Sequence, residues 1–300
     1  MNAPLLGRPL PWEAWWLAIR PKTLPLAITP VLVGTSLAWH EAGGFQPGPL
    51  LAALLAAALI QAGTNLHNDA GDFARGADTP DRLGPRRATA EGWLTLRQVT
   101  TGAYLCFGIA LLIGIYLARV GGWPIVALGI ASLAAGLAYT GGIRPIAYSA
   151  LGELFVFLFF GLAAVGGSYY LQTGRVSAAS LLAGTALGLL AAAVLVVNNY
   201  RDLDTDRRAG KHTLAVVVGR EGAQRLYVWM LALPFPAALA VTDTPWVWAV
   251  GLAAPSAFNL TRCFQRESPG PVFNGILAAT ARLQLNFGLL FSLGLLLPRW

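Results

Sequence analysis

Charge is what this chain has least of. Of its 300 residues only 12% are Asp, Glu, Lys or Arg, where a soluble domain carries about 25%. Hydrophobic residues make up 56%, and the mean hydropathy is +0.58. A greasy core does not account for so large a deficit, which excludes an ordinary soluble domain. Cysteine is scarce too. Cys106 and Cys263 stand far apart in apolar stretches, without CxxC or metal-ligand spacing, and read as small buried hydrophobes. Nothing at the N-terminus has the pattern of a cleavable leader. Its first segment is polar and Trp-rich, so the first apolar stretch is expected to act as the insertion signal.

What is present is apolar length. A membrane span needs about 20 mostly apolar residues, and nine stretches approach that: Leu24–Trp39, Leu50–Leu66, Val99–Leu117, Trp123–Tyr139, Leu151–Leu171, Ala178–Val197, Leu226–Val241, Trp246–Phe264 and Ile276–Leu297. Before them, Trp12, Trp15, Trp16 and Ile19 fall on one helical face, predicting an interfacial helix over 11–20. Of the 21 Lys and Arg residues, 18 fall on the side of the N-terminus and the long polar loops, against Arg119, Arg175 and Arg299 on the other. Positive charge marks the cytoplasmic side. The expected protein is therefore an all-α polytopic membrane protein with a cytoplasmic N-terminus in a bacterial inner membrane. Its net charge of +7 fits topology and anionic lipid, and implies no nucleic-acid partner.

The acids are concentrated. Of eight aspartates, seven lie in two polar segments, 65–97 and 198–225, each directly after an apolar stretch. Asn65, Asp69 and Asp72 share one helical face, as do Asn198, Asp202 and Asp206, while Asp204 points elsewhere. Asn65/Asp69 and Asn198/Asp202 are both 133 positions apart, which suggests two related halves around one cavity. Carboxylates gathered at a membrane edge repel each other and are costly to desolvate. A charged, solvated loop is one account of them. Magnesium is the better fit, because it takes one or two carboxylates plus substrate phosphates. Asp69, Asp72, Asp78, Asp202 and Asp206 are the candidate ligands. Asn65, Asn68 and Asn198 supply amide groups for water and phosphate. Arg75, Arg201 and Lys211 would neutralise a diphosphate. Asp81 is expected to pair with Arg82.

These segments strongly resemble the UbiA superfamily of intramembrane aromatic prenyltransferases. Asn68-Asp69-x-x-Asp72 matches its first signature, and Asp202, Asp206, Gly210, Lys211 and Thr213 its second. Asp78 stands six residues after Asp72, and with Pro80-Asp81-Arg82, Gly84-Pro85-Arg86-Arg87 and Asn198-Asn199-Tyr200-Arg201 this is similar to the MenA branch. Arg20-Pro21-Lys22-Thr23-Leu24-Pro25, Tyr139-Thr140-Gly141-Gly142 and Leu151-Gly152-Glu153-Leu154 also match, so the resemblance covers nearly the whole chain. One departure is Ile143, where a proline is expected.

The resemblance implies a single domain over 1–300, about nine transmembrane helices around a central cavity with a cytoplasmic cap. It implies Mg2+-dependent transfer from polyprenyl diphosphate to 1,4-dihydroxy-2-naphthoate, as in menaquinone synthesis. In that reading Asp69 and Asp72 hold one magnesium and Asp202 and Asp206 a second. Tyr139, Arg144 and Tyr148 lie near the substrate head. Arg20, Lys22, Gln284 and Asn286 are candidate acceptor contacts on a separate ground, that polar residues at the ends of spans or inside them are usually functional. Roles for His67 and Glu153 stay open, and no catalytic histidine is required. The rivals are another aromatic acceptor, such as 4-hydroxybenzoate, and a cation or metabolite transporter. A transporter would place acids at mid-membrane rather than at one end of the spans. Prenyl length and oligomeric state are not legible.

Overall fold

A computed structural model of the chain describes residues 9–76 and 83–298. Among these every regular element is helical. Helix α1 (Pro11–Ile19) opens on a proline, whose fixed φ suits a first turn. It closes at Arg20, held in the left-handed region at φ 58°. A 3-10 turn at Pro21–Thr23 leads into α2 (Pro25–Ala42), followed by α3 (Pro47–Ala74). The tryptophan face expected on α1 is divided. Trp12 and Trp16 are exposed, while Trp15 and Ile19 turn inward beside buried Ala14, Ala18, Leu66 and Val99. A helix lying against a bundle gives half of such a stripe to protein and half to its surroundings.

Helix α4 (Leu96–Thr140) begins under a Thr95 cap and bends at Gly122, where φ is 65° and ψ −155°. Pro124 follows the bend, so α4 consists of two antiparallel arms, which are the expected third and fourth apolar stretches. The chain continues as α5 (Gly152–Phe157), a π-helical turn at Leu158–Ala163, and α6 (Ala164–Thr173). Helix α7 (Ala178–Arg201) is the most enclosed, with Ala186, Leu187, Leu190 and Ala193 wholly buried. Gly161 lies so close to it that a Cβ there would come within 2.4 Å of the Gly184 carbonyl. Small residues let helices approach in this way when the surroundings are as apolar as the core.

The later part is more broken. It comprises α8 (Leu203–Arg208), α9 (Leu214–Ala232) with a bend at Gly219, α10 (Pro234–Leu239), a 3-10 segment Pro245–Ala253, α11 (Ala254–Arg266) and α12 (Phe273–Leu296). Among the described residues five helices, 47–74, 96–140, 152–173, 178–201 and 273–296, are long and apolar enough to cross a membrane. Expected stretches 226–241 and 246–264 are not continuous helices. Pro234 and Pro236 divide the first and Pro255 the second, each withdrawing a backbone donor. Nor are the two thiols buried as expected, since Cys106 is half-buried and Cys263 exposed.

Candidate active site

Helices α2 to α7 line a partly open cavity of about 570 Å³ with mostly apolar walls. Its polar end is formed by Arg20, Asn65, Asn68, Tyr139 and Asn198. The first acidic segment continues α3 past its apolar stretch, and the second begins where α7 ends, so both arrive at this end.

Each segment builds the same unit. In the first, Arg87 bonds through Nη1 to the Asn68 carbonyl oxygen at 2.8 Å and to Asn68 Oδ1 at 3.1 Å, and its Nη2 pairs with Asp72. In the second, Arg201 donates to Asn198 Oδ1 at 2.9 Å and grips Asp202 with Nε at 2.8 Å and Nη2 at 2.6 Å. Asn68/Asp72 and Asn198/Asp202 are both spaced by four and lie 130 positions apart. The repeat legible in the helical faces thus has a different register from the one built by contacts. Arg87 is a site residue that sequence reasoning counted only as loop charge and as part of the branch motif. Its position next to a second arginine in an acid-bearing loop was the available signal.

Asp69 has another task. Its carboxylate accepts from the backbone N–H of Ala88 at 3.0 Å and of Thr89 at 3.2 Å, and from the Thr89 hydroxyl. Asp69 is only 1% exposed. It fastens the 83–95 segment onto α3, which is how Arg87 is brought over Asp72. Asn65 likewise serves the fold, donating to the Ile19 carbonyl at 2.7 Å and to Thr23 Oγ1 at 3.2 Å. That anchors the segment bearing Arg20 at the cavity wall.

Tyr148 joins the two units. Its hydroxyl donates to Asp72 Oδ1 at 2.9 Å, and its ring lies 4.6 Å from Lys211 Nζ. Lys211 in turn pairs with Asp206 at 3.1 Å. Burial first, and the Asp72 charge second, push the Tyr148 hydroxyl above its usual range, so it remains a donor. Burial also raises Asp206. The charges of Asp202 and Asp72 add to that rise, while Lys211 opposes it. Asp206 thus feels the charge of an acid from each segment, Asp72 and Asp202.

The remaining expected residues fall around this centre. Arg75 donates to the carbonyls of Thr140 at 2.6 Å and Gly142 at 3.0 Å, tying the end of α3 to the end of α4. His67 meets Thr140 Oγ1 at 3.2 Å and is a helix-packing residue. Glu153 is buried and accepts from Asn199 at 2.8 Å. Asp204 is exposed and paired with Arg220 at 2.7 Å. Lys22 and Arg144 are exposed and do not line the cavity. Gln284 is wholly buried and Asn286 exposed, and neither lines it either. Ile143 is fully exposed, so the departure from proline does not touch the site. Asp78, Asp81 and Arg82 lie outside the described residues.

Comparison with known proteins agrees over nearly the full length. The model of the UbiA prenyltransferase family matches residues 27–291. A 1,4-dihydroxy-2-naphthoate octaprenyltransferase of Escherichia coli (strain K12) is 38% identical over 299 residues, covering 96% of each chain. One from Mycobacterium tuberculosis is 40% identical over 266 residues, covering 87% of this chain and 86% of that one. In fold, the chain resembles the structure of a UbiA homolog from Archaeoglobus fulgidus bound to DMAPP and Mg2+. There the TM-score is 0.67 at 15% identity, over 94% of this chain and 98% of that one. With two acid-bearing helix ends meeting over an apolar cavity, and with this match from α2 into α12, the chain belongs to the UbiA prenyltransferase family.

Proposed function

We propose that this chain transfers a polyprenyl group from polyprenyl diphosphate to 1,4-dihydroxy-2-naphthoate, releasing the ring carboxylate as carbon dioxide and giving demethylmenaquinol for menaquinone biosynthesis. The observation that carries this is the meeting of two Asn–Arg–Asp units at the polar end of one apolar cavity. Identity of 34–40% to naphthoate octaprenyltransferases supports the acceptor. Nine membrane crossings are read from the nine apolar stretches, and the Lys and Arg asymmetry puts the acids and the N-terminus on the cytoplasmic face of a bacterial inner membrane.

The residues fit magnesium. Asp72, Asp202 and Asp206 offer hard carboxylate oxygens, and Asn68 and Asn198 offer amide oxygens. Among the described residues no three acids cluster as a ready-made metal cage, which suits an ion whose shell is completed by its substrate's phosphates. Asp72 would contribute to one such ion, and Asp202 with Asp206 to a second. When bound, magnesium neutralises the diphosphate and makes it a better leaving group.

The chain's own residues do the rest. Lys211, paired with Asp206 and set over the Tyr148 ring, stabilises charge growing on the departing diphosphate as the allylic C–O bond breaks. Arg201, buried against Asp202, holds that carboxylate in position. The apolar walls keep water from the allylic cation. Arg20 at the wall provides a guanidinium for the acceptor carboxylate. The electron-rich ring forms the new C–C bond. Loss of carbon dioxide returns its bonding pair to the ring and restores aromaticity, so no strong base is needed there.

A transfer assay in lipid tests the proposal, with labelled prenyl diphosphate, either dihydroxynaphthoate or 4-hydroxybenzoate, and chelator controls. Magnesium-dependent, decarboxylated prenyl-naphthol that disappears in Asp202→Asn is the expected result. Product with the benzoate alone would move the chain to another acceptor. Transfer to neither would sink the enzyme reading and favour transport.

A further inference from the structure

Four glycines stand in the cavity wall, Gly114, Gly129, Gly136 and Gly167. Two of them are glycine for packing. A Cβ at Gly136 would come within 2.7 Å of Thr64 Oγ1, and one at Gly167 within 2.5 Å of a Leu128 methyl. Gly114 and Gly129 are different, because a Cβ at either meets nothing within 4 Å. Neither has a positive φ. Both are inside helical arms, where glycine is less stable than alanine. Packing and backbone conformation therefore give no reason for the missing side chains.

Their position supplies one. Ala110 and Ala118, a turn to either side of Gly114, line the cavity, and so do Ile125 and Leu133 around Gly129. Each glycine is thus at the centre of a cavity-facing stripe. The two arms of α4 run antiparallel from Gly122, and the Phe107 ring lies 3.3 Å from where a Gly136 Cβ would sit. Two turns nearer the bend from those paired positions are Gly114 and Gly129, which places them level with each other. Tyr139, at the polar end, is ten residues from Gly129, about 15 Å along the helix.

We infer that Gly114 and Gly129 form a gauge partway down the cavity, and that the absence of side chains at these two points is what admits a long polyprenyl tail. The inference rests on the prenyl-transfer reading above. A donor with one isoprene unit ends before this level, whereas the tail of a long donor must cross it. A side chain added at either position projects into the path of the tail and leaves the diphosphate end untouched.

The test compares kcat/KM for dimethylallyl, geranyl and octaprenyl diphosphates in the full-length wild type and in Gly114→Ala, Gly114→Leu, Gly129→Ala and Gly129→Leu, all in lipid. The ratio of octaprenyl to dimethylallyl transfer is the readout, because damage to folding or to the diphosphate site cancels in it. The Leu variants are expected to lower that ratio about tenfold or more, the Ala variants less, with geranyl, whose two isoprene units also end short of this level, behaving as dimethylallyl does. An unchanged ratio in Leu variants that still use the short donor overturns the gauge. Should a Leu variant lose both donors, the Ala variants decide, and an unchanged ratio there overturns it equally. Wild-type protein that transfers no donor defeats the prenyl-transfer reading itself, an outcome visible before any variant is made.

Discussion

The Tyr148 hydroxyl donates a 2.9 Å hydrogen bond to Asp72 Oδ1, across 76 positions of sequence. The same ring carries the Lys211 ammonium on its face. One side chain therefore holds an acid of the first half and a base of the second. Tyr148→Phe keeps the ring and removes the bond. It should lower kcat/KM about tenfold, and Tyr148→Leu, which also loses the cation–π contact, should lower it further. The hydroxyl is pushed above its usual range, so it keeps its proton where a free tyrosine, near pH 10, would lose it. The alkaline limb of the wild-type pH profile should accordingly be the same in Tyr148→Phe. A wild-type limb that vanishes in the variant would refute this.

Arg87 and Asp72 are a buried pair, with side chains 4% and 7% exposed. Removing one partner strands the other charge, which costs about 3–5 kcal/mol. Arg87→Ala should fall in this range in thermal unfolding and lose most activity. Asp204→Asn breaks an exposed pair with Arg220 and should change stability by less than about 1 kcal/mol. Equal effects from the two substitutions would show that burial is not what gives the Arg87 unit its weight.

Asp69 binds backbone groups of the 88–89 segment, whereas Asp202 faces the partner acids of the centre. The two should respond differently to metal. Asp202→Asn is expected to raise the magnesium concentration for half-maximal activity several-fold. Asp69→Asn should lose activity that added magnesium does not restore, and expose 83–95 to protease. Rescue of Asp69→Asn by magnesium would instead make it a direct ligand.

Gln284 lies wholly buried on α12 with neither amide atom hydrogen-bonded. An unmet amide of this kind costs about 1–3 kcal/mol. Gln284→Leu, of similar volume, should stabilise the protein by about that amount and leave acceptor KM unaltered. A raised acceptor KM would return Gln284 to the list of substrate contacts.

Trp15 packs so closely on α4 that a Cβ at Gly102 would come within 2.7 Å of its ring, while Trp12 and Trp16 face outward. Trp15→Ala should destabilise the fold by about 3–5 kcal/mol. Trp12→Ala with Trp16→Ala should leave unfolding in detergent nearly unchanged. Matching losses in melting temperature would mean the outward pair is also packed.

Class, helical content and the location of the chemistry are properties of local sequence here. A charge deficit this large leaves few environments open to the chain, and seven of eight aspartates in two segments can gather only where those segments meet. Helical periodicity likewise separated Asp204 from Asp202. The partners of each acid are another matter. Asp69 and Asp72 are three residues apart on one helix, yet one binds loop backbone and the other Arg87 and Tyr148. Periodicity assigns a side chain to a face, but not to the segment that folds over that face. Arg87 reaches Asp72 only because the 83–95 segment turns back over α3. The breaks at Pro234 and Pro255 were visible as residues, but hydropathy averages across them and reads an uninterrupted span. Contacts between distant segments depend on how the chain closes, and that is settled by packing the whole bundle at once.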